Sequence, residues 1–492
     1  MAKVAFLNSP YLLNEPFFQH MPPLSILYLS SYVRKLGHEA KIFNLDKTVN
    51  EKGIYFFGFD LKRLFEELNS FNPDIIGITC PYSSRWQFTE RLTRIIKARF
   101  NDTSVVIGGI HPTAFPEFCL TSSSADYVVI GEGEETISNL LECKTNYKPV
   151  DKIEGIAFNY ENKAIVNPKM NFINDLDSIP FPAYDLIDIE AYKKKCANDR
   201  ISQLKGIYFS ILTSRSCPNQ CTYCNMHLAH GKKWRFRSPE NVLSEVEHLI
   251  KTYNVKQFAI VDDNFSFSRE RTLQILKGII DRRLNIKFIT PNGLSIKTLD
   301  DELIWLLKKA GALEIAIAVE SGSEYIRNEV YKKRVDTNKI LEVVQSCKKH
   351  RLPCKTFFMV GAPDETDDTV KDSIELMKKM KTPAYINITT PYKGTNLYDY
   401  YISKGVIDEK YLMSGLSIDI RLPIEKIENY EKIIKWKRDM QIYNILYSWK
   451  DILLHSGFLN INTFKRLFAG VIFPKVVTKD ITDTIINKHM PL

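Results

Sequence analysis

The chain has 492 residues, 44% of them hydrophobic and 25% charged, a globular balance that excludes a disordered or fibrous protein. With 21 glycines and 22 prolines it is neither collagen-like nor of low complexity, and its length has room for about three domains. The net charge of +9 is mild for this size, and with no nucleic-acid-binding module beside it the charge selects no polyanionic partner. The longest candidate apolar run, Leu467 to Phe473, ends at Pro474, far short of the ~18 residues of a membrane span. Asn8 and Pro10 interrupt the apolar stretch after Lys3, so no secretory signal is expected and the chain reads as cytoplasmic.

Residues 1–148 alternate strand and helix patterns. Strand-like runs lie at Lys3–Asn8, Glu39–Leu45, Asp74–Thr79, Ser104–Gly108 and Tyr127–Ile130. Helix patterns lie between them at Leu24–Leu36, Leu61–Phe71 and Phe88–Phe100, with another after Glu134. Pro22-Pro23 opens the first helix and Gly37 closes it. This α/β alternation predicts a doubly wound parallel sheet. Residues 149–205 lose the rhythm at Pro149, Pro168, Pro180 and Pro182 and read as a connector, with a hairpin around Asn162.

Alternation resumes over residues 206–397. Strands are expected at Ile207–Thr213, Gln257–Val261, Ile286–Pro291, Glu314–Val319, Cys354–Val360 and Tyr385–Thr390. Helices are expected at Glu240–Thr252, Glu270–Arg283, Asp301–Lys309, Asn338–Lys349 and Asp367–Lys379. Six units predict a partial (β/α)6 barrel, short of the eight of a closed one. Residues 398–492 read as a helical C-terminal region, Ile424–Tyr447 being its longest pattern.

Nine cysteines, an odd number, argue against a disulfide framework. Six are scattered and read as small buried hydrophobes. The other three form Cys217-Pro218-Asn219-Gln220-Cys221-Thr222-Tyr223-Cys224, a C-x3-C-x2-C run directly after the first barrel strand. Thiolates so spaced wrap a single soft-metal site. A four-iron cubane takes one ligand for each iron, so three cysteines leave one iron open to chelate a small molecule. His227 and His230 continue the spacing, which keeps a Cys3His zinc site as an alternative. The remaining strand ends carry Asp262-Asp263-Asn264, Asn292-Gly293, Glu320-Ser321-Gly322, Gly361 to Thr366 and Pro391 to Thr395. Helix caps and turns explain any one of these, but six in register mark the rim where a barrel builds its active site. No Ser/His/Asp or paired-carboxylate constellation offers polar catalysis instead.

With Tyr223 before its last cysteine and a partial barrel around it, this motif resembles that of the radical S-adenosylmethionine (SAM) enzymes. The resemblance implies that Cys217, Cys221 and Cys224 ligate three irons of a four-iron four-sulfur cluster, and that Tyr223 lies by the adenine of SAM. It implies SAM contacts at Asp262, Asp263, Asn292, Glu320, Ser321 and Gly361, with Asp262-Asp263 toward the methionine amino group and Glu320-Ser321 toward the ribose and methionine. The implied chemistry is reductive cleavage of SAM to a radical that abstracts hydrogen, fed by an external electron donor such as flavodoxin or ferredoxin.

Doubly wound sheets bind ligands outside the carboxyl ends of their strands, here the loops Ser9–Pro23, Cys80–Trp86, Gly108–Thr113 and Gly131–Glu135. The stretches Pro22 to Leu29, Gly108-Gly109-Ile110-His111-Pro112-Thr113 and Gly131-Glu132-Gly133-Glu134 resemble the cobalamin-binding domain fused ahead of many radical SAM enzymes. Cobalamin contacts are thereby implied at Ser83, Arg85, Gly108, Gly109, His111, Gly131 and Glu132. No Asp-x-His-x-x-Gly run exists, and His20, His38 and His111 lack its context, so no histidine is expected beneath cobalt. Arg85 or Trp86 is placed near that lower face, against the plain reading of a surface cation and a half-buried aromatic. The implied activity is methylation of an unactivated carbon in a small-molecule or lipid-like substrate. Cyclisation or oxidation without methyl transfer, and a non-catalytic zinc- or corrinoid-binding protein, are the alternatives. The basic run Lys232 to Arg237 offers an anion contact, and the helix around Lys432 to Arg438 offers a peripheral membrane contact or a substrate cover, against solvated faces as the plainer reading.

Overall fold

The architecture is that of a computed structural model, which describes residues 1–13, 22–51, 53–197, 209–407, 409, 430–456 and 479–492. The first sheet contains β1 (Lys3–Asn8), β2 (Glu39–Phe43), β3 (Ile75–Thr79), β4 (Ser104–Gly108), β5 (Tyr127–Val129), β6 (Ile156–Tyr160) and β7 (Lys163–Asn167), in the order β7-β6-β5-β4-β3-β1-β2. β1 to β5 are parallel, while β6 and β7 are added antiparallel. Continuous apolar runs such as Val4 to Leu7 are buried because helices cover both faces of the sheet. α1 (Leu24–Lys35) and α4 (Glu134–Thr145) pack on one face, α2 (Leu61–Phe71) and α3 (Trp86–Arg99) on the other. The chain winds from β1 out to β2 and returns on the far side at β3, so the strand order reverses between β1 and β3 and opens a crevice there.

Two features depart from the sequence reading. The hairpin around Asn162 turns on Glu161 and Asn162, both at positive φ, and its strands extend the first sheet past residue 148. A separate three-stranded antiparallel sheet, Tyr11–Leu13, Lys47–Glu51 and Ile54–Gly58, buries Phe56 and Phe57 beside the first domain. Lys47–Glu51 carries a single apolar residue and Tyr11–Leu13 spans only three positions, so neither shows a strand period.

The second sheet runs in chain order and is parallel throughout: β8 (Phe209–Ile211), β9 (Gln257–Ile260), β10 (Lys287–Leu294), β11 (Ala312–Glu320), β12 (Cys354–Val360) and β13 (Ala384–Ile388). It is an open six-stranded barrel. Five outer helices follow: α5 (Pro239–Tyr253), α6 (Arg269–Asp281), α7 (Asp301–Ala310), α8 (Thr337–Lys349) and α9 (Asp367–Met380). Each starts at a side-chain cap, from Ser238, Ser268, Asp300, Asp336 and Thr366 respectively, which accepts an orphan N–H of the first turn. One continuous apolar core joins both domains through Tyr184, Ile187 and Ile189 of the connector.

Among the described residues, the short helix Asn396–Ser403 and two longer helices follow. α10 (Tyr430–Ser456) lays Ile433, Trp436 and Met440 into the barrel core, and the Trp436 indole N–H donates to Asp367 at 2.7 Å. The face offered to a membrane is therefore turned onto the barrel. Asn444 covers the open edge of β13, accepting from the Ala384 N–H at 3.0 Å and donating to its carbonyl at 2.7 Å. α11 (Lys479–His489) returns to the first domain, where Ile485, Ile486 and Met490 join its core. No described helix is long and apolar enough to cross a membrane. Residues 207–208, 424–429 and the run Leu467 to Phe473, like His20, lie outside the described residues.

Asn444→Ala removes both bonds to Ala384 and leaves a buried strand edge unpaired, a loss of about 1–3 kcal/mol. Hydrogen-exchange mass spectrometry should find β13 exchanging faster in this variant, with β10 unchanged.

Candidate functional site

After β8 the backbone turns so that Ser214-Arg215 pairs with Arg235-Phe236, closing the segment between them into one cysteine-bearing loop. The β9 end braces its start. Asp262 is buried, and its carboxylate accepts from the Thr213 N–H and hydroxyl, both at 2.6 Å, and from the Ser214 hydroxyl at 2.5 Å. Asp263 accepts from the Ser216 N–H at 3.1 Å, and the Asn264 amide donates to Cys217 Sγ at 3.4 Å. Burial raises the pKa of both aspartates.

The middle of the loop is held from the end of β11 and the helical segment Tyr325–Val330 that follows it. The Thr222 N–H donates to the Tyr331 carbonyl at 3.2 Å and its hydroxyl to the Val330 carbonyl at 2.8 Å. The Tyr223 hydroxyl donates to Glu320 at 2.7 Å, and the same carboxylate oxygen accepts from Lys333 at 3.0 Å. Glu320 ends β11 with φ +68°, a left-handed conformation that a non-glycine residue holds only where its surroundings enforce it.

Cys217, Cys221 and Cys224 are all free thiols. Burial pushes Cys221 up and Cys224 up to about 11, a cost that metal coordination removes by deprotonating the thiol outright. Three unpaired sulfurs on one loop, one of them accepting an amide N–H, fit an iron–sulfur cluster. Zinc makes a different demand, drawing every ligand to about 2.3 Å or less of one point. Among the described residues no group of three or more His, Cys, Asp and Glu converges as such a site. His230 is instead 3.4 Å from Glu132.

The other expected SAM contacts divide. Tyr223, Asp263 and Glu320 stand at the loop. The Asp262 carboxylate is occupied by Thr213 and Ser214. Ser321 is fully buried, its hydroxyl accepting from the Ser323 N–H at 3.2 Å and lying 3.3 Å from Ser373. The Asn292 amide donates to the Val261 carbonyl at 2.8 Å across the rim. Gly361, at φ +91°, packs under Ile433 of α10. Lys333 is not visible as a site residue in sequence, since it stands neither at a strand end nor in a metal-ligand spacing, and Thr222 lies inside the cysteine motif at a position that spacing does not single out.

The crevice of the first domain opens on the same side. Gly109 sits at φ +114°, and a Cβ there would meet the Cys80 carbonyl at 2.4 Å, so only glycine lets the β3 and β4 loops touch. Gly108 has ordinary room. The Gly131 N–H donates to the Thr113 hydroxyl at 3.0 Å. His111 is buried between Trp86 and Phe115, with Nδ1 2.9 Å from the Ser83 hydroxyl. Burial lowers its pKa to about 3, so the ring is neutral, and its Nε2 has no partner; neither has the buried Ser9 hydroxyl at the end of β1. Unsatisfied polar atoms at a strand-order switch fit a polar ligand lodged there. Arg85 is buried, stacked 4.0 Å over Tyr11 and donating to Asn8 at 3.3 Å, and Trp86 lies in the core. Neither is the surface cation or half-buried aromatic of the plainer reading.

The two halves meet through buried ions. Glu132 accepts both guanidinium nitrogens of Arg235, at 2.6 and 3.0 Å, and lies 3.2 Å from Arg215, which donates to Glu134 at 2.5 Å. Burial acts to raise the Glu132 pKa, but the bonds from His230, Arg215 and Arg235 hold it well below the carboxylate range. Arg237 likewise pairs with buried Glu245, so the arginines of the basic run face inward and its exposed residues are Lys232, Lys233 and Phe236.

Two family models match this chain: the B12 binding domain over residues 13–141 and the Radical SAM superfamily over residues 211–377. An uncharacterized methyltransferase of Pyrococcus horikoshii is 29% identical, covering 92% of this chain and 93% of its own. The anaerobic magnesium-protoporphyrin IX monomethyl ester cyclase of Rubrivivax gelatinosus is 25% identical over 77% of this chain and 66% of its own. The fold is shared with TsrM of Kitasatospora setae, a radical SAM methyltransferase solved with cobalamin and a [4Fe-4S] cluster, at TM-score 0.67 and 18% identity over 82% of this chain and 78% of that one.

Glu132→Gln leaves Arg215 and Arg235 under-compensated in the interior, a loss on the order of 3–5 kcal/mol in urea denaturation. Because the Glu132 pKa is depressed in the folded state, its contribution is present above the unfolded carboxylate value of about 4.3 and fades as pH falls below it. The gap between wild type and variant should therefore narrow in acid.

Proposed function

The chain belongs to the cobalamin-dependent radical SAM enzymes, and from that premise we propose that it transfers a methyl group to an unactivated carbon of a small molecule. The matched domains name the cofactors, a corrinoid for the first and SAM for the second. Bound there, these groups supply hydrogen abstraction by a SAM-derived radical and a transferable methyl group. The chain's own residues hold, orient and seal. Cys217, Cys221 and Cys224 would hold three corners of the cluster, with Asn264 donating to the first sulfur. Asp263, Tyr223 and Glu320 would hold SAM beside the loop, and Gly109, Gly131, Ser9 and His111 would hold the corrin in the crevice.

One observation carries the reading. Arg215 stands two residues before Cys217, and it is ion-paired to Glu132 and Glu134, which directly follow the crevice loop at Gly131. The two cofactor loops are thus held face to face, as transfer between two bound groups requires. An unactivated C–H bond offers no proton to a side-chain base, which accords with the lack of a polar catalytic constellation in the sequence. The free state of the eight cysteines whose side chains are described accords with a reducing, cytoplasmic setting and with an external one-electron donor of the flavodoxin or ferredoxin class.

The cyclase relative favours a second reading, ring closure without methyl transfer. Oxygen-free protein should contain iron and acid-labile sulfide, and lose both in a Cys217→Ala, Cys221→Ala, Cys224→Ala variant. With SAM and a deuterated substrate, deuterium in 5′-deoxyadenosine together with one added methyl mass in the product supports methylation. Deuterium transfer without the mass gain selects cyclisation, and zinc without sulfide removes both.

A further inference from the structure

Three aromatic rings lie together at the root of the cysteine loop, and no step of the proposed chemistry uses them. Trp234 stacks on Phe236 at 4.8 Å between ring centres and meets Phe267 edge-on at 5.0 Å. Phe236 is 49% exposed and Phe267 41%. A single exposed ring is ordinary on a protein surface, but adjoining ones mark a face that another molecule covers.

Positive charge accompanies the patch. Lys232 and Lys233 directly precede Trp234, both are exposed, and neither forms an ion pair among the described residues. Lys233 donates only to the Asn174 side-chain oxygen, at 3.4 Å. Beneath the rings the buried Arg271 guanidinium stands 5.9 Å from the Trp234 ring centre and 5.5 Å from that of Phe236. It donates to the Arg237 and Thr213 carbonyls at 2.8 and 2.7 Å, and it too forms no ion pair among the described residues. An apolar centre with cations beside and beneath it complements an acidic protein surface.

The patch is also joined to the metal-binding end of the loop. Phe236 pairs across the hairpin with Ser214, which stands three residues before Cys217. The Phe267 N–H donates to the Asn264 carbonyl at 3.4 Å, and the Asn264 amide donates in turn to Cys217 Sγ at 3.4 Å. An exposed ring is thus one turn of chain away from a sulfur assigned to the cluster. Electron tunnelling weakens steeply with distance, so a carrier that reduces the cluster must dock close to it. Redox partners meet transiently over interfaces below about 1,200 Å², a size that a few rings and lysines fill.

We propose that Trp234, Phe236 and Phe267, with Lys232 and Lys233 beside them, form the docking face for an acidic one-electron carrier protein that reduces the cluster. The inference rests on the cofactor reading above and adds to it the place where the electron enters. One electron passes from the reduced flavin or iron–sulfur centre of the carrier to the oxidised cluster, and no bond is made or broken. The rings hold the carrier, and the lysines steer its approach.

The test begins with binding, by titrating a purified flavodoxin and, separately, a ferredoxin onto the full chain prepared without oxygen, its iron and sulfide counted. At least one of the two should bind, and more weakly as salt rises. For that carrier, Phe236→Ser with Phe267→Ser should weaken binding on the order of tenfold. Lys232→Glu with Lys233→Glu should weaken it too and flatten its salt dependence. Trp305→Ser, which removes an exposed ring on α7, should bind as wild type does. In stopped flow, cluster reduction by the carrier should slow in both double variants, while reduction by dithionite, which needs no docking face, keeps the wild-type rate. The proposal is overturned if neither carrier binds wild type, if either folded double variant binds as tightly as wild type, or if dithionite reduction slows equally. Where the phenylalanine variant fails to fold, the lysine variant decides. Anionic phospholipid vesicles bound through these residues, with carrier binding unmoved, would assign the patch to a membrane and overturn the proposal as well. Wild-type protein holding zinc without sulfide overturns the cofactor reading instead, and metal analysis separates that failure from the others.

Discussion

Four charged side chains withdrawn from water set the relation between the two halves of this protein. Glu132 and Glu134 belong to the doubly wound sheet, Arg215 and Arg235 to the hairpin that brackets the cysteine loop. Desolvating such groups costs several kcal/mol each, and that cost is offset only when the geometry is right. A bidentate Arg235–Glu132 contact has little tolerance for rotation or slip. The network is thus better understood as a register than as a source of net stability. The shared apolar core through Tyr184 and Ile187 supplies adhesion without direction, and the ions supply the direction.

The cysteine loop shows how little a metal-binding segment needs to specify by itself. It holds only a short helix of its own, Met226–His230, and its ends and middle are tied to the segments that follow three barrel strands. Asp262 and Asp263 fix its entry, Val330 and Tyr331 fix Thr222, and the Leu397 N–H reaches the Thr222 carbonyl at 3.0 Å. Ordering that backbone before any cofactor arrives removes an entropy cost from binding. Radical chemistry makes that economy useful, because a loosely held reactive group would meet water or oxygen first.

Much of this organisation was readable from residues alone. The strand and helix alternation is regular, and the capping residues Ser238, Ser268, Asp300, Asp336 and Thr366 announce the barrel helices almost to the residue. The three cysteines carry a spacing that few other roles produce. Side-chain destinations were less readable, because a carboxylate at a strand end can serve a ligand or a neighbouring turn equally well. Asp262 serves Thr213 and Ser214, and Glu132 serves two arginines some hundred residues away. Lys333 shows the same limit, since its partners Tyr223 and Glu320 are distant in sequence and no local period links them. The helix around Trp436 mixes lysines and arginine with apolar side chains, but composition alone does not say whether those side chains meet lipid or protein.

The last helix, α11, has a consequence for synthesis. Ile485, Ile486 and Met490 complete the core around Phe56 and Phe88, and the Met490 carbonyl accepts from Arg91 at 2.8 Å. The core of this domain is therefore finished by residues translated only after the barrel. While the barrel emerges from the ribosome, an apolar patch on its predecessor stays uncovered, so this amino-terminal unit is not a self-sufficient module that can be excised or exchanged at the connector.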